Sequence, residues 1–326
     1  MKKYTPWFVL LGLLILIVVL PKPLSFSSSV SVVITILLFL ALVGMLILTI
    51  KGRPVGRRTV FVFIAVSLTL PFFMSFRPPV KVSPEVQSLY DAIKKLEPGS
   101  KVLAAFDYDP PSAPELQPMA DAFMKYAFKH GLKVIIMGLW PQGPQQANMS
   151  VVRALEEPEV KRMNPKYGTD YVNLGFQSGN EFLVQRMGRS FRDPFPRDIY
   201  NTLYDSIPLL KGVENFSNID YVINFSSGYP GTVEWVQIAV DRFGKDLGAG
   251  NTAVQAPSVY PYLSSGKLKG LAGGMTGAAE FEMATGEIGK ATTYILAQSF
   301  SHVVVIAFII IGNVALFLGK RKKARE

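Results

Sequence analysis

Hydrophobic positions follow two different rules along this chain. Four stretches run on apolar with almost no charge, at residues 4–20, 30–50, 59–76 and 294–318. About 20 such residues cross a bilayer core, so the pattern predicts four transmembrane helices. Between the third and fourth, over residues 77–293, the apolar residues break into short runs separated by amphipathic ones. Residues 84–96 put Val86, Leu89 and Ile93 on one helical stripe, 113–130 reads as a helix closed by Gly131, and a third helix is expected near 146–157. Strands are expected at 100–108, 133–140, 170–176, 219–225 and 252–257, with a helix after each of the third and fourth.

Apolar strands alternating with helices predict an α/β domain of three layers built on a mainly parallel sheet. In pattern it resembles the Rossmann-like and flavodoxin-like class. Within it the chain repeats itself: "DYVNLGFQSGNEF" starts at Asp170 and "DYVINFSSGYPGTVEW" at Asp220. Each copy reads as a strand, a Ser-Gly turn and a helix.

Composition and charge turn this pattern into a topology. Hydrophobic residues make up 49% of the 326 and charged ones 18%, the balance of a membrane protein. The first block has the Lys2-Lys3 flank of a signal peptide but runs into Pro21, Lys22 and Pro23 with no small-x-small cleavage site, so an uncleaved anchor is expected. Basic residues cluster at Lys2-Lys3, in "KGRPVGRR" from Lys51, and in the tail 319–326. Four spans put all three clusters on one side, which positive charge marks as cytoplasmic, with the 77–293 domain outside the cytoplasm of a multi-pass plasma-membrane protein. These clusters hold eleven of the 34 basic residues and one of the 24 acidic ones, leaving 23 of each elsewhere, so the formal charge of +10 is topological. No basic excess remains to build a nucleic-acid-binding face.

Chemistry at this stage is sparse. The chain has no cysteine, and the domain's one histidine, His130, ends a helix, so thiolate chemistry, the usual zinc sets and hydrolase triads are not expected. No metal and no cofactor is implied, since neither Ser-Gly turn continues as a P-loop or a dinucleotide fingerprint. The sharpest catalytic pair is Asp107 and Asp109 in "FDYDPPS", which resembles the first motif of haloacid-dehalogenase-type phosphatases. That resemblance implies a nucleophile at Asp107, a general acid at Asp109 and magnesium between carboxylates. It covers seven residues and departs at Pro110-Pro111, where that family continues with Gly-Thr or Thr-Val.

Loops that follow parallel strands converge on one edge, where ligands bind near the topological switch. The expected strand ends deliver polar residues there: Gln142, Gln177, Ser178, Asn180, Ser226, Ser227, Tyr229, Gln255 and Ser258. The Ser-Gly turns read as helix N-caps, a stabilising role that also suits an anion-binding crevice.

In the Gly-rich segment 266–290, Gly270, Gly273, Gly274, Gly277 and Ala278 fall at helical spacing and predict a smooth strip for packing in the domain or against a partner. "SVYPYLSSGKLKGLAGG", which runs into it, resembles a turn of some solute-binding proteins. Asn313, in the last span, is read as interhelical glue. The expectation is a non-enzymatic binding or scaffold subunit, in contact with the lipid bilayer and with another membrane protein or a second copy of itself. The alternatives are a solute receptor with a polar crevice, and a metal-assisted hydrolase or phosphoesterase using Asp107 and Asp109.

Overall fold

The computed structural model describes residues 27–53, 55–74 and 80–323, and the chain divides into two compact units, 80–292 and the flanking segments. The flanking unit contains α1 (Ser28–Ile50), α2 (Arg57–Thr69) and the greater part of the long helix α11 (Lys290–Lys323). Two helices among the described residues are long and apolar enough to cross a membrane, Ser29–Ile50 and Lys290–Gly319, with mean hydropathies of 3.0 and 2.5. The expected span at 59–76 is corrected. Its helix stops at Thr69 and tightens into a 3-10 turn over Leu70–Phe73 that contains Pro71. Thirteen residues at 1.5 Å each reach only about 20 Å, against a core of about 30 Å. The expected span at 4–20 lies outside the described residues. Asn313 is exposed on its helix, with Nδ2 donating to the Ile309 carbonyl at 2.9 Å.

The other unit is an α/β sandwich on six parallel strands: β1 (Lys101–Asp107), β2 (Lys133–Gly138), β3 (Tyr171–Phe176), β4 (Tyr221–Ser226), β5 (Leu247–Asn251) and β6 (Leu268–Gly273). Their order is β3-β2-β1-β4-β5-β6, the doubly wound Rossmann-type order, with the reversal between β1 and β4. The helices are α3 (Pro84–Lys94), α4 (Ala113–Lys129), α5 (Gly143–Glu156), α6 (Pro158–Met163), α7 (Asn180–Met187), α8 (Thr232–Trp235, continuing as a π turn to Val240), α9 (Ala256–Ser264) and α10 (Gly274–Thr285).

Strand alternation sorts the core into two layers. On one face Leu103, Ala105, Val222 and Ala249 pack with Leu183, Val184, Trp235 and Val236 from α7, α8 and the π turn. On the other, Phe225 meets Phe106 and Phe123 at ring separations of 5.3 and 6.0 Å.

Two elements differ from the sequence expectation for the same physical reason. The fifth strand is "LGAGN" at Leu247–Asn251, and 252–257 is instead the turn leading into α9. A Cβ at Gly248 would overlap Tyr221 and Leu89, and one at Gly250 would crowd Met119 Sδ and Phe225 at 2.8 Å. Close packing, not β-propensity, therefore set these residues. The supposed helical strip at 270–278 is likewise β6 followed by the first turns of α10. Gly270 sits where a Cβ would overlap the Leu89 backbone, Gly274 turns the chain at φ +62° against Ala253, and Gly277 lies on the Ala272 backbone. Gly270, Gly274, Gly277 and Ala278 are buried within their own unit, with Gly273 half-buried, so they form no exposed helical face.

Candidate functional site

The topological switch brings three strand ends level. Asp107 pairs in register with Ser226, and Ser226 with Asn251. On the face those residues share, side chains of β1, β4, β5 and α8 make one buried polar network. Asp107 is fully buried and accepts three hydrogen bonds, from Leu139 N to Oδ1 at 2.6 Å and from Asn224 Nδ2 and Trp235 Nε1 to Oδ2 at 2.7 and 2.8 Å. Thr232 Oγ1 donates to Asn224 Oδ1 at 2.6 Å and accepts from Asn251 Nδ2 at 2.9 Å. Burial pushes the Asp107 carboxyl from 3.8 up to about 7, against the opposing pull of its three donors.

This network changes the meaning of the catalytic pair. Both Asp107 oxygens are committed inside the protein, and the residue has no exposure through which to meet a substrate or an ion. Asp109 lies in the loop beyond and accepts from Ser112 Oγ at 2.9 Å. Among the described residues no group of three His, Cys, Asp or Glu side chains is placed to hold a metal ion. The Asp107 side chain turns inward and fastens β1, β4, the turn after β2 and α8.

The expected ligand residues lie at strand ends or on segments that follow the strands, and two of them meet, Asn180 Nδ2 donating to Tyr229 Oη at 3.5 Å. Gln142, Gln177, Ser178, Tyr229 and Ser258 are exposed, Asn180, Ser227 and Gln255 are half-buried, and Ser226 is buried. Ser226 Oγ shapes its own turn, bonding the backbone of Gly228. Neither serine of the repeated Ser-Gly device caps a helix: the N-cap of α7 is Gly179 and that of α8 is Gly231. The Gly231 amide is taken by Glu234, whose Oε2 accepts it at 2.7 Å. An anion approaching that helix start would meet a carboxylate.

The two copies of the device touch each other. Tyr229 donates its hydroxyl to Glu181 Oε2 at 3.0 Å, and Trp140 Nε1 donates to the Pro230 carbonyl at 2.8 Å. On this rim Tyr229 is 62% exposed, Phe182 67% and Val254 90%. Clefts open elsewhere, one of about 550 Å³ beside Pro98, His130 and Met163 and one of about 500 Å³ beside Arg189 and Lys211.

Trp235 and Asn251 were not singled out from the sequence, and Asn224 and Thr232 were not read as members of a buried network. The available signal was an Asn in the middle of an otherwise apolar strand, "YVINF", which demands a buried partner. Comparisons with protein-family models, with curated proteins and with solved structures find no match for this chain.

Proposed function

We propose that this protein is a non-enzymatic binding or scaffold subunit that docks a protein partner on the carboxyl edge of its α/β unit. One contrast carries the reading. The acid at the topological switch is sealed and saturated by Leu139, Asn224 and Trp235, while the rim around it exposes Tyr229, Phe182 and Val254. Chemistry needs a reactive group open to a substrate, whereas exposed aromatic and aliphatic groups suit an interface. In this reading the two apolar helices anchor the unit to a membrane. The test is the mass of the particle extracted from native membranes in mild detergent. The wild type should run as a complex or homo-oligomer, and Val254→Asp should release a lone chain that is equally stable to heat. A wild-type monomer would remove the proposal.

A further inference from the structure

The carboxyl edge has an unbalanced charge. The segments that follow the strands, 108–112, 139–142, 177–181, 227–234, 252–255 and 274–276, contain no lysine or arginine. They and the first turn of α4 carry Asp109, Glu115, Glu181 and Glu234, each bonded to a neutral donor: Ser112 Oγ, Ala253 N, Tyr229 Oη and Gly231 N. The ion pairs among the described residues all involve other carboxylates. Like charges gathered without counter-ions repel one another, and a cationic surface relieves that repulsion on contact.

The same edge bears the exposed apolar rim, and it is stiff. Thr252 N donates to the Ser226 carbonyl and Ala253 N to Glu115, so Val254 stands at the tip of a tied loop. Tyr229 is fixed by Glu181. Groups ordered before contact lose little entropy on docking.

We infer that the partner surface seated on this edge is a protein segment bearing lysine or arginine beside apolar side chains. This rests on the docking reading above. An anionic lipid surface does not fit, because it repels Glu181 and Glu234 where they flank the apolar tips.

The test uses the full chain in its native membranes, with a photo-crosslinking residue placed at 254 or at 182 and a control at Lys161, which lies in α6, away from this edge. Crosslinked peptides are then identified by mass spectrometry. Positions 254 and 182 should both capture one peptide of another protein that contains Lys or Arg. Glu181→Lys should cut the yield by roughly threefold to tenfold. Tyr229→Phe, which breaks the same hydrogen bond without changing charge, should leave it nearly intact. A captured protein segment without basic residues, or one from a second copy of this chain, overturns the charge inference and leaves the docking reading standing. So does an equal loss in Glu181→Lys and Tyr229→Phe. Lipid adducts alone, or no adduct above the control, overturn both.

Discussion

Trp235 reaches across from the end of α8 to give its indole Nε1–H to Asp107 Oδ2 at 2.8 Å, and with that bond the acid at the end of β1 is closed off from solvent. The contact joins the two halves of the doubly wound sheet at their reversal. An active site would use this position to present a carboxylate. Here the same position is spent on holding β1, β4 and the β2 turn together.

Asp107→Asn tests that structural role. The amide can offer its oxygen to Trp235 and Asn224, but its NH2 then faces the Leu139 N–H, which is left without an acceptor. A buried unmatched donor costs about 2 kcal/mol, or roughly 4–8 °C in a unit of this size. Thermal unfolding of the full chain in detergent reads the loss. An unchanged melting temperature would mean that the network is not maintained in solution.

The direction of the pH effect follows from the raised carboxyl. The folded state binds its proton up to about 7, while the unfolded chain releases it near 3.8. This contribution to stability is therefore fully present below about pH 4 and is lost as pH rises through 7. Three units correspond to something on the order of 4 kcal/mol. The stability difference between wild type and Asp107→Asn, which cannot titrate there, should shrink steadily from pH 5 to pH 8. A difference that widened over that range would reverse the assignment.

Much of the fold was legible because burial writes itself into pattern. "KVLAAF", "KVIIMG" and "YVINF" are too apolar and too short for anything but strands covered on both faces. Legibility failed where packing overrode propensity. "LGAGN" and "LKGLAG" carry glycine because Leu89, Tyr221 and Met119 leave no room for a Cβ, a long-range cause that no local window contains. The edge residues were legible as polar loop positions. Asp107 read as exposed chemistry because nothing near it in sequence announces Trp235, 128 positions away. The missing third span was a matter of length, since "RRTVFVFIAVSLT" is followed by Pro71, which ends the regular helix.

Tyr221 offers a test of packing against polarity. Its hydroxyl is buried with no hydrogen-bond partner among the described residues, close to Gly248 and Leu89, and burial pushes its ionisation far upward. Removing an unmet polar group relieves a desolvation penalty, so Tyr221→Phe should be neutral or stabilise by about 1 kcal/mol. Gly248→Ala pushes a methyl into the same space and should destabilise by about 1–3 kcal/mol. The double variant should recover part of that loss, because the hydroxyl removed is one of the groups the added methyl would overlap. Denaturant midpoints of the three variants decide it, and a costly Tyr221→Phe would point to a bound water bridging the hydroxyl.

Helix α10 fastens the α/β unit at both places where the chain enters and leaves it. Glu280 accepts from the backbone N–H and the hydroxyl of Ser83, the N-cap of α3. Glu282, only 1% exposed, accepts from Ala291 N, Thr292 N and Thr292 Oγ1 at 2.8–3.0 Å, and so caps the start of α11 with a full negative charge. The first amides of a helix have no partner within it, and the helix dipole favours an anion there. Glu282→Gln removes the charge and turns one acceptor into a donor facing Thr292. The helix start should loosen by about 1–2 kcal/mol. Amide exchange at Ala291 and Thr292 should accelerate roughly tenfold or more, while amides in β1 and β4 stay protected. Glu280→Gln should leave Ala291 and Thr292 unaffected and loosen the first turn of α3 instead. Uniform acceleration across the unit in either variant would show that α10 holds the whole sandwich together and does not act as two separate clasps.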